Sequence, residues 1–285
     1  MTEKGDDMRS IRNGFAALLA CLLALTLPVR AADKEVYVFS VVPQFTAAQA
    51  FREWQPLLNK LATETGMAFK LKIYDSIPQF ESAFLSGEVD FAYMSPYHAV
   101  MAKRAQAYVP LVRDAKPLQG ILMVRSDGPR ELAALEDQPL GFPAPNAFAT
   151  LYIRAQLWER YGLNIRPVYL KTHSNVFLHV IAGNVIAGGS VRAAFDSEPP
   201  DVQKQLRILF ETPPVAPHTL AAHPRVPARL REKLTVALLG LLETPEGRDM
   251  LKTVRLPNAM RADYARDYAP LEKLKLEKYL AVERD

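Results

Sequence analysis

Residues 36–42 read Val-Tyr-Val-Phe-Ser-Val-Val, a β-rich apolar run of the kind that forms a buried strand. Pro43-Gln44-Phe45 ends it. Thr46 is placed to cap a helix whose apolar positions, Trp54, Leu57, Leu58 and Leu61, recur at helical spacing until Gly66. Residues 69–74 alternate as a second strand. Residues 77–86 read as a short helix with Phe80, Ala83 and Phe84 on one face and Gly87 closing it. Residues 89–94 form a third apolar strand, and Ser95-Pro96 opens a helix over 97–107. Strand and helix thus alternate three times, the order of an α/β layer with a largely parallel sheet.

The alternation then resumes. Strands are predicted over 109–112, 120–124, 140–142, 166–170, 185–188 and 207–210, with helices over 131–135, 147–161, 174–182, 191–196 and 202–205. Pro213, Pro214 and Pro217 mark a crossing segment. Beyond it, 227–242 and 245–253 read as helices. The polar tail from Tyr264 also reads as helical, with a solvated charged face over 272–283. The pattern divides the chain into a first lobe over 32–122, a second over 123–212 and a return to the first over 213–285. Two α/β lobes with a return resemble a venus-flytrap binding fold. Its ligand lies between the lobes, at strand carboxyl ends and helix N-termini. The hinge is expected at 122–125 and 211–217.

The first 31 residues follow a different rule. Arg9 and Arg12 precede an apolar run over 14–27, Pro28 breaks it, and Val29-Arg30-Ala31 puts small residues at the positions a signal peptidase reads. Residues 1–31 therefore read as a cleavable signal peptide, with cleavage after Ala31 or Ala32 and export to the periplasm. The run is shorter than the ~20 apolar residues of a spanning helix. Met8 would open a better n-region than the acidic start at Met1. The one cysteine, Cys21, lies inside the apolar run, so the mature chain has no thiol for a disulfide, a nucleophile or a metal site.

Composition adds exclusions. The 49% apolar content supports a full core in 285 residues. The net charge of +4 falls only to +3 without the first 31 residues, which carry four basic and three acidic side chains. No dense Lys/Arg stripe with aromatics appears, so no nucleic-acid partner is expected. No paired-Cys or H-E-x-x-H pattern suggests a metal, and no G-x-S-x-G elbow suggests a hydrolase. No cofactor is expected.

Three stretches carry a more specific likeness: Gly87 through Pro96 (Gly-Glu-Val-Asp-Phe-Ala-Tyr-Met-Ser-Pro), the segment 141–150, and Lys171-Thr172-His173-Ser174-Asn175. Together they resemble the periplasmic phosphate/phosphonate-binding family of ABC importers, over about residues 35–256. The resemblance implies an α/β fold, a two-lobed type 2 periplasmic binding protein of the venus-flytrap kind, each lobe a mostly parallel sheet flanked by helices. It also implies a ligand cleft lined by Gln44, Phe45, Met94, Ser95, Tyr97, Asn146, Ala147, Phe148, Thr150, His173, Asn175 and Ser190. In phosphonate binders the helix after the Pro-Asn pair starts with Ser and Thr, whose hydroxyls and backbone N–H groups hold the anion. Here Ala147-Phe148-Ala149 stands there, with Thr150 next. Ile186 stands where the family strand usually carries an Asp.

The residues read individually keep plainer alternatives open. Ser95 also fits a helix cap and Tyr97 a packed helix residue. His173, between a strand and a helix, is placed to donate to a ligand oxygen. His179 is read as structural, and His98, His218 and His223 show no ligand spacing. The expected protein is a monomeric solute-binding component, not an enzyme. It would carry a small, phosphonate- or phosphate-like anionic ligand to an ABC permease. The alternative is a sensor of the same fold that signals to a membrane histidine kinase or similar receptor.

Overall fold

A computed structural model describes residues 35–280. Residues 1–31, expected from the sequence to be a signal peptide, lie outside the described residues. From Val36 onward the chain forms one unit with eleven strands among the described residues. These are β1 (Val36–Val41), β2 (Ala68–Lys72), β3 (Phe91–Met94), β4 (Val109–Asp114), β5 (Gly120–Arg125), β6 (Pro139–Phe142), β7 (Arg166–Tyr169), β8 (Ala187–Val191), β9 (Leu206–Glu211), β10 (Thr219–Ala222) and β11 (Ala259–Arg261). The helices are α1 (Ala47–Thr65), α2 (Ile77–Leu85), α3 (Pro96–Gln106), α4 (Phe148–Tyr161), α5 (His173–Ile181), α6 (Arg192–Asp196), α7 (Pro200–Gln203), α8 (Ala228–Gly240), α9 (Pro245–Thr253) and α10 (Tyr264–Asp267).

The strands form two sheets, in the orders β11-β4-β10-β3-β1-β2 and β7-β6-β8-β5-β9. In the first, β1 runs parallel to β2 and β3, but β10 is antiparallel to β3 and β4, and β11 to β4. In the second, β6 is parallel to β7 and β8, while β5 is antiparallel to β8 and β9. Both sheets are therefore mixed rather than mostly parallel. A parallel neighbour needs a crossover within its own sheet, whereas β5 and β10 are entered directly from the other lobe. The two-sheet α/β architecture flanked by helices is the expected one.

Local sequence explains the first lobe. Thr46 Oγ1 accepts from Gln49 N–H at 3.3 Å at the start of α1, and Gly66 ends that helix at φ +70°. Between them Trp54, Leu57, Leu58 and Leu61 bury one face. Ser76 and Ser95 cap α2 and α3 in the same way, with Pro96 at the first turn of α3. Asp90 ties the layers: its carboxylate accepts from Val38 N–H at 2.7 Å and from Arg225 Nε at 2.6 Å.

The crossings lie at residues 115–119 and 212–218, where Leu118 and Val215 exchange two backbone hydrogen bonds of 2.8 and 2.9 Å. The first crossing precedes the boundary expected after residue 122. Residues 122–125, expected as hinge, are the last four residues of β5, paired to β9. The tail also differs from expectation. After α10 the chain forms 3-10 turns over Ala269–Leu274 and Leu276–Tyr279, with Leu271 and Leu276 buried in the first core. Lys275, at φ +47°, interrupts any continuous helix there, and the two leucines turn inward on either side of it.

Candidate functional site

The first lobe contributes the loop after β1. Val42 N–H donates to Tyr93 O at 2.9 Å, which seats the loop beside the end of β3. Gln44 Nε2 lies 3.1 Å from His218 Nε2, and the His218 ring stacks on Tyr93 at 5.6 Å. With Nε2 accepting from the Gln44 amide, the ring proton sits on Nδ1. Burial, with help from His98 and Arg255, pushes His218 down to about 3, so it is neutral near pH 7. Sequence reading passed over His218. Its place is visible only once β10, which it precedes, is seen to pair with β3.

Met94, the last residue of β3, is fully buried. Ser95 Oγ accepts from His98 N–H at 3.2 Å as the α3 cap. The Tyr97 hydroxyl donates to Glu277 Oε2 at 3.4 Å, and burial raises it far above the ordinary tyrosine range. In this structure these three are held by packing, capping and the C-terminal turn respectively. Phe45, in contrast, is 42% exposed.

The second lobe contributes the start of α4. Ala147 is the N-cap in extended backbone and offers no capping side chain. Phe148, Ala149 and Thr150 follow, all buried. The Thr150 hydroxyl donates to Ala144 O at 2.7 Å, closing the 143–147 loop that also carries the half-buried Asn146. The helix faces two cores. Ile153 and Leu157 pack in the second lobe, while Phe148, Leu151, Tyr152 and Ala155, at helical spacing, are continuous with the first-lobe core. Phe148 and Tyr152 rings lie 5.4 Å apart.

His173 begins α5, and its Nδ1 is 2.8 Å from the Ser190 hydroxyl on β8. Ser190 is fully buried. Burial pushes His173 down to about 4, leaving a neutral imidazole near pH 7. Asn175 is occupied locally: its N–H donates to Thr172 Oγ1 at 3.1 Å and its side-chain amide to Leu170 O at 2.9 Å. Ile186 packs against the second core. β8 can thread between α5 and α4 because Gly188 and Gly189 lack side chains. A Cβ on Gly188 would overlap Val176, and one on Gly189 would overlap Phe142.

The structure thus brings Gln44 to His218, His173 to Ser190, and Phe148 to the first-lobe core. No cluster of metal-binding side chains occurs among the described residues.

A family model, that of the periplasmic substrate-binding protein of phosphonate ABC transporters, matches residues 39–268. The chain belongs to that family. Its members are binding proteins of transport systems, working in the periplasm with a small-molecule ligand and an ABC permease, and transport rather than sensing is the role the family carries. Solved structures agree on the fold. XAC2383 from Xanthomonas citri, solved bound to chloride ion and to ATP, superposes with a TM-score of 0.75 at 17% identity. The match covers 86% of this chain and 98–99% of that one. PhnD1 from Prochlorococcus marinus, in complex with methylphosphonate, gives 0.73 at 12% identity over 86% of this chain and 99% of its own. A phosphonate-transporter binding protein from Pseudomonas aeruginosa (PA3383) gives 0.68 at 15%, over 86% and 87%.

Proposed function

We propose that this family member captures a small phosphonate- or phosphate-like anion between its lobes, at the start of α4, and hands it to an ABC permease. One observation carries the reading: the first turn of α4 is buried and has no side-chain cap. A helix start leaves backbone N–H donors and a positive dipole end, and burial without partners is costly unless an acceptor arrives. An anion supplies that acceptor.

The hydroxyls that would assist are absent or engaged, since Ala147 and Ala149 have none and Thr150 bonds Ala144. The anion is therefore held mainly by backbone N–H groups. His173, oriented by Ser190, supplies a neutral N–H donor, and Gln44 and Phe45 meet the ligand from the first lobe. Met94, Ser95 and Tyr97 shape the wall behind them, Asn175 fixes the loop before α5, and Asn146 faces the ligand from the loop that Thr150 closes. A ligand that touches both lobes favours the closed arrangement by its differential affinity. The lobes turn on the Leu118–Val215 bridge. The protein works as a monomer after removal of residues 1–31, and performs no chemistry on its cargo.

The test is the melting midpoint against rising methylphosphonate, phosphate, phosphite, sulfate and acetate. Binding to the native state raises the midpoint by mass action. A saturable rise with the phosphorus oxyanions is expected. A rise with acetate alone, or with none of them, would reject the reading.

A further inference from the structure

Arg255 breaks a local rule. It follows α9 with φ +64°. Its N–H donates to Lys252 O at 3.1 Å, and the next N–H, of Leu256, donates to Leu251 O at 2.8 Å. This pair of bonds is a helix ending in which glycine is the favoured residue, because a Cβ is disfavoured in left-handed backbone. The arginine side chain does what glycine could not. Its guanidinium grips the Glu53 carboxylate on α1 in a fork, at 2.8 and 3.4 Å. Its Cζ also lies 4.0 Å from the centroid of the Phe45 ring. Glu53 is steadied in turn by Gln49 Nε2 at 2.8 Å.

These contacts converge on one segment. Phe45 sits in the loop between β1 and α1, next to Gln44, whose amide reaches His218. A ring 42% exposed would swing freely if nothing covered a face. A guanidinium that lies over the ring while forked to a carboxylate is itself held in place and so holds the ring, which a lysine ammonium, with no fork, cannot do.

We propose that Arg255 is a positioning residue for ligand capture: through Phe45 it holds the β1–α1 loop where Gln44 and Phe45 meet the anion. This rests on the functional reading above. The test compares wild type with Arg255→Gly, Arg255→Lys, Phe45→Ala and the Arg255→Gly/Phe45→Ala double variant. Methylphosphonate affinity is measured by calorimetry, and 4-fluorophenylalanine at position 45 is followed by fluorine NMR without ligand. Glycine suits the backbone at 255, so that variant is expected to keep the melting midpoint while losing affinity about tenfold. The lysine variant should not recover it, the fluorine signal should move, and the loss should vanish in the Phe45→Ala background. Unchanged affinity in Arg255→Gly, losses that simply add in the double variant, or an unmoved fluorine signal would each overturn the proposal. A wild-type chain that binds no methylphosphonate overturns the functional reading instead, and the fluorine signal still reports whether Arg255 holds the ring.

Discussion

At the scale of single residues, the histidines set a pH dependence whose sign can be worked out. His173 and His218 titrate near 6.5 when unfolded, but burial lowers them to about 4 and about 3 in the native chain. Burial lowers His223 in the same direction. Between pH 6.5 and 4.5 the unfolded chain binds protons that the native chain refuses, so stability falls as pH falls through that window. We expect the melting midpoint to drop from pH 7 to pH 5, and the slope to flatten in a His173→Gln/His218→Gln variant. An unchanged slope would show that these rings are not buried as neutral groups. Of this pair, His173 was legible in the sequence because a polar residue between strand and helix signals a site. His218 was not, because nothing local marks it. Its surroundings, Gln44 and Tyr93, come from more than a hundred residues earlier in the chain.

At the scale of elements, side-chain period and helix caps made the first lobe readable. The buried face of α1 and the Thr46 and Ser95 caps are all local signals. The short strands β10 and β11, Thr-Leu-Ala-Ala and Ala-Met-Arg, carry no such signal. They are strands because their neighbours supply ladder partners, a tertiary effect that outweighs propensity. The same limit applies to β8, read two residues early because Gly188 and Gly189 look like a turn rather than strand. Their requirement is steric. Gly189→Ala should destabilise the fold by about 1–3 kcal/mol, read as a lower denaturant midpoint, since the added methyl meets Phe142. A neutral substitution would mean that the strand, α4 and Phe142 can move apart.

At the scale of the whole molecule, α4 decides how the lobes behave. Its Phe148–Leu151–Tyr152–Ala155 face belongs to the first core, although the helix is otherwise part of the second lobe. Arg154 also donates to Tyr279 O at 2.7 Å, tying α4 to the C-terminal turn. The lobes should therefore unfold together in one calorimetric transition. Phe148→Ala should cost about 3 kcal/mol and broaden or split that transition, whereas an intact sharp transition would mean that α4 does not join the cores. The mixed sheet order was hidden from the sequence for a related reason. Strand direction in β5 and β10 follows from where the chain crosses between lobes, and no local pattern encodes a crossing.

The same helix holds the decisive test. An aspartate at Ala147, whose backbone already has capping geometry, would cap the first turn of α4 and put a carboxylate where the anion belongs. Such a cap stabilises a helix by about 1 kcal/mol. The measurement is a calorimetric titration of wild type and Ala147→Asp with methylphosphonate, alongside their melting midpoints. The predicted result is saturable binding by wild type, and none by a variant that melts at an equal or higher temperature. Unaltered binding by a well-folded Ala147→Asp chain would contradict an anion site at the start of α4.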